Sequence, residues 1–335
     1  MAMTLVEAAK YSNDILQVGV IEKLVYNDPI LERLQFKDIV GNGLTYNVET
    51  ALSGASFYGV GDTWTESTST VTQTTAVTTI LGGDADVDNF LKATRSNVQD
   101  LMSEQITAKT KAMKIKFGEM FIYGYYNAGA GYDAKGFDGL HALIKSQAAT
   151  ATIYENTICM ATSTGTGKLL QMSKLEEAVD LVKNGPADMI LMSKGMRRAI
   201  NKYVLAAGGI TYEDRANGRI QTLFGIPVAV SDHIVDTEDA TKNYGGPATN
   251  FGFDYTVGTA KSTTSDLSTT IFVLHFAPDG VCGIQSMPVT VENLGALETK
   301  DAVRVRIKWY PGLMLQSIIA ASKVSGILVA GAVAA

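Results

Sequence analysis

The chain has 335 residues, a formal net charge of −6 at pH 7 and a hydrophobic content of 46%. That length suits two average domains or one large elaborated domain, with enough apolar side chains for a sizeable core. The negative charge argues against a nucleic-acid-binding protein as a whole, but leaves room for a local basic face. Cys159 and Cys282 lie far apart in sequence, which is typical of a reducing compartment and leaves a single disulfide open.

The N-terminal segment predicts a helical arm. Thr4-Leu5-Val6-Glu7 has the spacing of a capping box, in which the threonine and glutamate side chains satisfy the first free amides of a helix. Apolar residues then recur at helical spacing as far as Leu24, and Asn27-Asp28-Pro29 ends the run. We interpret this segment as an arm rather than as part of a core. Because residues 1–10 lack the apolar stretch of a signal peptide, we expect a cytoplasmic protein.

Residues 38–91 predict a long β-hairpin. Two runs rich in Thr, Val and Ile, at residues 44–52 and 70–80, flank a middle rich in Gly, Ser and Thr. The segment contains no lysine, arginine or histidine, and its seven acids are Asp38, Glu49, Asp62, Glu66, Asp84, Asp86 and Asp88. The last three alternate in sequence, but a calcium loop also needs a glycine and a bidentate glutamate, so we expect a solvated acidic turn. Because its centre is too polar to fold alone, the hairpin must lie on another surface.

A long amphipathic helix comes next. Apolar residues from Val98 to Phe121 recur at steps of three and four, and lysines fall between them. About 25 residues of helix would span roughly 37 Å. A basic helix beside an acidic hairpin suggests a protein that binds copies of itself. The candidate inter-subunit residues are Glu49, Asp62, Glu66, Asp84, Lys92, Arg95, Lys109, Lys111, Lys114 and Lys116.

Two other interpretations of Lys109 to Lys116 stay open. The lysines can form a solvated helix face, or they can contact packaged nucleic acid. They lack the interleaved aromatic residues of a base-reading surface, so any such contact would be to phosphate and non-specific.

The rest of the chain alternates helices with short strands and predicts an α+β fold. Ser173-Lys174-Leu175-Glu176 has a second capping-box spacing, and that helix is expected to end at residues 184–186. A strand at residues 189–192, a helix from Ser193 to residues 208–209 and a hairpin at residues 219–230 follow. The remaining predicted strands are residues 270–276, 289–292, 303–310 and 313–321. We place an inserted domain at about residues 150–285.

Motifs for catalysis, cofactors and metals are incomplete. Thr164 to Lys168 resembles a phosphate loop, but Thr162 and Leu169 stand where that loop needs Gly and Ser or Thr. Gly129 to Ala134 matches a dinucleotide fingerprint in letters only, because it follows a helix rather than a strand. The three histidines are isolated from one another, and neither cysteine belongs to a CxxC pair. We therefore expect no enzyme activity, no cofactor and no metal.

Several segments together resemble tailed-bacteriophage major capsid proteins. They are residues 1–10 (MAMTLVEAAK), 28–36 (DPILERLQF), 136–140 (GFDGL), 224–228 (FGIPV) and 306–313 (RIKWYPGL). None is a strong motif alone, but their order along the whole chain matches the family. The resemblance implies the Hong Kong 97-type fold, with an N-terminal arm (1–40), an extended loop (41–92), a peripheral domain with a spine helix (93–150 and 286–335) and an inserted axial domain (151–285).

The resemblance also implies a function and partners. Such a protein self-assembles into pentamers and hexamers of an icosahedral shell around double-stranded DNA. Its expected partners are copies of itself, portal and scaffolding proteins, a possible cement protein and DNA through non-specific contact, with no membrane. The chain departs from the family's prototype in two ways, since it has no charged helical extension before the arm and no lysine in the extended loop. Separate scaffolding and a shell without covalent cross-links are therefore expected.

Two alternatives remain from the sequence. An encapsulin-like nanocompartment protein would share the fold and differ by an interior groove that binds cargo. A soluble enzyme on an unfamiliar α+β fold would show a chemical cluster only in three dimensions.

Overall fold

The computed structural model describes residues 29–95, 101–126, 135–144, 156–160, 168–207, 211–215, 218–236, 238–239 and 267–328. The predicted arm helix, Gly129 to Ala134 and Thr164 to Gly167 lie outside these residues. The described part is α+β, as the sequence predicts. Its helices are α1 (Ile30–Arg33), α2 (Asn89–Arg95), α3 (Leu101–Tyr123), α4 (Met172–Asp180) and α5 (Lys194–Ala207), and residues 140–144 form a short helical turn.

The strands of the described residues form three sheets. The first half of the chain contributes β1 (Phe36–Asp38), β2 (Gly43–Ala51), β3 (Thr70–Val77), β4 (Leu81–Asp88), β5 (Thr157–Cys159) and β6 (Met189–Met192). The second half contributes β7 (Thr211–Arg215), β8 (Gly218–Leu223), β9 (Ile226–Val230), β10 (Glu238–Asp239), β11 (Leu267–Leu274), β12 (Val281–Ala296), β13 (Ala302–Leu315) and β14 (Ala321–Ile327).

A four-stranded sheet has the order β1-β12-β13-β4. Its central strands are longer than predicted, because β13 runs through Pro311 and Gly312, where the sequence predicted a break. Gly312 lies opposite Ile284, and the register shifts between Gln285 and Met287 next to the proline. A bulge interrupts the ladder of backbone hydrogen bonds between two strands, so the proline there does not have to donate an N–H to the ladder. The Pro311 carbonyl still accepts a hydrogen bond from the Thr79 amide at 2.9 Å.

The long helix α3 packs across β4 and β13 on one face of this sheet. Phe117 and Phe121 are fully buried, and the ring centroid of Phe117 lies 4.7 Å from that of Trp309 and 5.5 Å from that of Phe137. The predicted helix is therefore confirmed, with ends within about one turn of the prediction. Its apolar stripe holds the helix on the sheet and leaves the opposite side in solvent.

An eight-stranded sheet builds the other half of the fold. Its order is β5-β14-β11-β6-β9-β8-β7, with β10 paired to β11. Alternate residues of β6 face opposite layers: Ile190 and Met192 contact α4 and α5, whereas Met189 and Leu191 join the core around α3. Strand β14 pairs with β11 and β5, so residues 321–327 belong to this sheet rather than to the four-stranded one.

The predicted starts of α4 and α5 differ in whether a serine side chain caps the helix. α4 begins at Met172 with Gln171 as its N-cap residue and no side-chain cap, so the predicted capping box at Ser173 is wrong. Ser173 already lies inside the first turn of the helix, so it does not occupy the N-cap position from which a hydroxyl accepts hydrogen bonds from the first free amides. Ser193 does cap α5, because the Met196 amide donates to its Oγ at 3.1 Å.

A buried polar cluster joins the end of α3 to the eight-stranded sheet. The Tyr123 hydroxyl donates to Glu238 Oε1 at 2.7 Å, and the Thr270 hydroxyl donates to Glu238 Oε2 at 2.5 Å. His141 Nε2 lies 3.5 Å from Glu238 Oε1, and Lys323 Nζ donates to the His141 carbonyl at 3.1 Å. Burial lowers the pKa of His141 to about 4, although the hydrogen bond to Glu238 opposes the shift.

Candidate inter-subunit surfaces

The base of the β2–β3 hairpin is anchored within its own subunit. The two strands pair in antiparallel register from Gly43–Val77 onwards, which confirms the predicted hairpin. Tyr46 is buried, and its hydroxyl donates to the Leu315 carbonyl at 2.9 Å. Tyr46 and Ala76 form a small core with Cys282, Ile284 and Met314 of the four-stranded sheet. Cys282 is a free, buried thiol, and burial raises its pKa.

The tip of the hairpin, residues 52–69, presents large apolar side chains to solvent. Trp64 is 78% exposed, and Phe57 and Val60 are completely exposed. Folded monomers rarely leave such side chains clustered in water unless they bind a partner. The tip is therefore a candidate contact surface.

Contacts within the tip fix its shape. The rings of Tyr58 and Trp64 stack with centroids 4.3 Å apart. The Tyr58 hydroxyl lies 2.8 Å from Thr65 Oγ1, and hydrogen bonds with Thr65 lower the pKa of Tyr58. The Gly59 amide donates to Asp62 Oδ2 at 2.5 Å. These contacts prearrange the exposed side chains for binding and reduce the entropy that docking would cost.

An ion-pair ladder covers the face of the four-stranded sheet opposite α3. Arg306 makes a bidentate hydrogen bond to Asp84, and Arg304 makes one to Asp86, at distances of 2.6 to 2.9 Å. The hydrogen bonds from these guanidinium groups lower the pKa of both carboxyls. The expected solvated turn is wrong here, because residues 81–88 form strand β4 opposite β13. Cross-strand arginines neutralise its alternating acids.

Asp84 therefore has cationic partners within its own chain. Lys109, one of its predicted inter-subunit partners, also approaches it: the Lys109 side chain crosses Gly83, in the space where a side chain would stand, and helps to lower the pKa of Asp84. The acidic hairpin end and the basic helix thus meet partly inside one subunit.

The other predicted site residues are distributed over the hairpin and two helices. Glu49 is exposed on β2, and Asp62 and Glu66 are exposed in the tip. Lys92 and Arg95 belong to α2. Lys111 and Lys114 are exposed on α3, and Lys116 pairs with Glu119 at 3.7 Å. Contact between these acids and bases of different copies stays a prediction.

The described residues contain no group of three or more His, Cys, Asp or Glu side chains able to hold a metal ion. None of the helices in the described ranges is both long enough and apolar enough to cross a membrane.

Comparison with known families decides the class of protein. The model of the SU10 major capsid protein family matches residues 40–234, which is more than half of the chain. The chain belongs to this family. It is a structural capsid subunit of a virion and not an enzyme, and the resemblance to tailed-phage capsid proteins is confirmed. A search of curated protein sequences gave no match.

Solved structures share the fold of this capsid subunit over nearly its whole length. The holo-SrpI encapsulin complex of Synechococcus elongatus has a TM-score of 0.62 at 15% identity, covering 99% of this chain and 98% of the other. The capsid of an empty GTA particle gives 0.60 at 12% identity, covering 97% and 98%. The structure of Mycobacterium phage Ogopogo gives 0.59 at 14% identity, covering 95% and 98%. The Hong Kong 97-type fold is thereby established for this chain.

Sequence reasoning missed two features of these surfaces. The first is the ladder, although Arg304, Arg306 and Lys308 alternate with the period of a strand and could have been matched to the alternating acids of residues 84–88. The second is the anchor Tyr46, which no local pattern distinguishes from the other residues of β2.

Proposed function

We propose that this capsid subunit self-assembles into pentamers and hexamers that close into an icosahedral shell around double-stranded DNA. The observation that carries the proposal is the hairpin, whose base is fixed to its own sheet while Phe57, Val60 and Trp64 at its tip stay in solvent. Identical subunits bury such side chains most simply on one another, since every contact in a closed shell repeats.

Electron microscopy of the purified protein tests this assembly. We expect closed particles that contain nuclease-protected DNA when they are isolated from an infected host. A variant with Phe57→Ser and Val60→Ser is expected to fold normally and to lose shells, because both side chains are fully exposed in the single subunit. Thr72→Ser in the hairpin strand serves as the control. Equal shell yields from the Phe57/Val60 variant and the unaltered chain would refute a contact role for the tip.

In this function, different segments of the chain would have different roles in the shell. We propose an N-terminal arm (1–40), an extended loop (41–92), a peripheral domain (93–150 and 286–320) and an axial domain (151–285). We count the final strand, Ala321–Ile327, with the axial domain because it pairs with β5 and β11. Portal and scaffolding proteins, and a possible cement protein, would be the further partners.

Charge contributes a second contact in the same assembly. Glu49, Asp62 and Glu66 of one copy would lie near Lys92, Arg95 and Lys109 to Lys116 of the next. Asp84 contributes less than the sequence suggested, since Arg304 and Arg306 already bind it. Each exposed pair adds only about 0 to 1 kcal/mol, but the contact repeats over the shell.

Salt dependence tests this pairing. The Debye length falls from about 10 Å at 0.1 M salt to about 3 Å at 1 M, so shells of the unaltered chain should weaken as salt rises. A variant with Glu49→Gln and Glu66→Gln should be less sensitive to salt. If the two respond alike, the lysines belong to a solvated face or contact DNA phosphates.

The encapsulin-like alternative has one specific observation in its favour, which is the fold similarity to the SrpI complex. A nanocompartment would contain a protein cargo instead of DNA. Particles that carry a stoichiometric enzyme and no nuclease-protected DNA would support that alternative over the virion.

A further inference from the structure

Two helices on one face of the eight-stranded sheet carry opposite charges. α4 has three acids and one lysine, whereas α5 has four cations and no acid. Both pack on the same face through the buried cluster that includes Leu175 and Ile200. α4 lies over β14, where the Ser322 hydroxyl donates to the Ala178 carbonyl at 2.6 Å. α5 lies nearer the other edge, where Gln221 of β8 donates to Asn201.

The exposed side of each helix forms a stripe of like charge. On α5, Lys194, Arg198 and Lys202 are exposed at four-residue spacing, so they lie along one side of the helix. On α4, Glu176 and Asp180 are exposed with the same spacing. An exposed leucine accompanies each stripe: Leu205, at 64%, lies on α5 and Leu169, at 37%, precedes α4.

Only some of these charges form ion pairs within the part of the chain that the structure describes. Lys194 pairs with Asp232 at 2.6 Å, and Lys174 pairs with Glu177 at 2.6 Å. Among the described residues, no ion pair involves Arg198, Lys202, Glu176 or Asp180. Like charges four residues apart destabilise an isolated helix. The stability of the helices therefore does not account for either stripe.

We propose that the α5 stripe of one copy binds the α4 stripe of the next copy around each pentamer and hexamer. This contact rests on the proposed assembly and names the surfaces that meet within it. Because the two stripes are different surfaces over different halves of the sheet, their pairing is head-to-tail, and a head-to-tail contact generates a ring when its rotation closes. The opposite charges of the two stripes favour their pairing, whereas like charges repel when two copies of the same stripe meet. Leu169 and Leu205 add apolar area to the contact.

Charge reversal tests the contact. One variant carries Glu176→Lys and Asp180→Lys, and a second carries Arg198→Glu and Lys202→Glu. Each places like charges at every contact, so we expect the yield of rings at low salt to fall at least about tenfold. A variant with all four substitutions restores opposite charges and should assemble like the unaltered chain. Lys300→Glu, in the β12–β13 connection, is the control and should leave ring yield unchanged.

Mixing the two reversal variants gives a sharper result. A copy of the first can then bind only copies of the second, so subunits must alternate around a ring. Alternating subunits can close only rings with an even number of members, so a ring of five subunits cannot form. Native mass spectrometry of the mixture should therefore show hexamers without pentamers, whereas the unaltered chain forms both.

The outcomes separate this contact from the assembly itself. An unaltered chain that stays monomeric would overturn the proposed function and the contact together. Rings from either reversal variant alone at the unaltered yield, or pentamers from the mixture, would overturn the contact only. Far-UV circular dichroism and thermal unfolding check that each variant is folded. Should a reversal variant fail to fold, Glu176→Gln with Asp180→Asn replaces it. A ring yield that depends less on salt than that of the unaltered chain would then support the contact, whereas unchanged salt sensitivity would refute it.

Discussion

Single side chains decide how closely the elements of this subunit approach one another. Gly118 of α3 lies directly beneath the buried imidazole of His233, and a Cβ at this position would overlap the ring. Gly83 similarly leaves room for Lys109. His141, Glu238 and Lys323 are each at most 3% exposed. Burial lowers the pKa of His141, because charge is costly away from water.

Gly118→Ala should destabilise the subunit although alanine is the better helix former. Alanine would gain about 1 kcal/mol from helix propensity, whereas displacing His233 in a packed core costs about 1 to 3 kcal/mol. We expect a net loss in the free energy of unfolding, measured by urea denaturation. The double variant Gly118→Ala with His233→Ala removes the overlap, so its loss should be smaller than the sum of the two single losses. Additive losses would contradict the overlap.

Acidification should destabilise the fold through His141. The unfolded side chain binds a proton near pH 6.5, but the folded one does so only near pH 4. The unfolded state therefore holds more protons between these values, and the free energy of unfolding falls as pH drops through this window. The contribution is at most about 3 kcal/mol. Urea denaturation at pH 7 and at pH 4.5 should show a smaller pH dependence for His141→Gln than for the unaltered chain, and equal dependence would exclude this role.

At the scale of elements, the hairpin combines a fixed base with an exposed end. The base adds a third layer to the four-stranded sheet through Tyr46 and Ala76. Beyond Ala51 and before Thr70 the tip touches only itself in the described contacts, through the Tyr58–Trp64 stack and the hydrogen bond from Ser67 Oγ to the Gly54 carbonyl. The tip therefore exposes its apolar side chains to solvent in a shape that its own contacts hold.

Tyr46→Phe should loosen the hairpin without unfolding the sheet beneath it. Loss of the buried hydrogen bond to the Leu315 carbonyl costs about 1 to 2 kcal/mol, and this loss falls on the docking of β2 and β3. Hydrogen–deuterium exchange should become faster in residues 43–51 and 70–77, while residues 302–310 keep their protection. Tyr58→Phe removes a hydroxyl from the exposed tip and serves as the matched control. Uniformly faster exchange over both regions would show that Tyr46 stabilises the whole fold instead.

At the scale of the whole subunit, the exposed apolar and charged surfaces lie apart from the buried cores. Its cores are covered by helices on the faces of two sheets, whereas the hairpin tip and the outer sides of α3, α4 and α5 remain in solvent. The ladder of Asp84, Asp86, Arg304 and Arg306 is already neutralised within the chain. We therefore expect assembly to depend on the tip and the helical stripes rather than on that sheet face.

Assembled particles should contain no covalent links between subunits through the hairpin. An isopeptide bond needs a lysine amine, and residues 38–91 contain no lysine. Boiled and reduced particles should therefore migrate in a denaturing gel as one band near 35.7 kDa. A ladder of multimers would show that a lysine outside the hairpin forms cross-links.

The sequence by itself determined the elements whose signals are local. Runs rich in Thr, Val and Ile predicted the β2–β3 hairpin, apolar residues at helical spacing predicted α3, and the hairpin predicted at residues 219–230 is present as β8 and β9. The ordered set of capsid-like segments also indicated the family.

Only the tertiary structure decided how distant residues pair. Arg304 meets Asp86 across 218 positions and Arg306 meets Asp84 across 222. Strand β13 continues through Pro311 and β14 joins the second sheet, because neighbouring strands, not local propensity, satisfy their backbone groups.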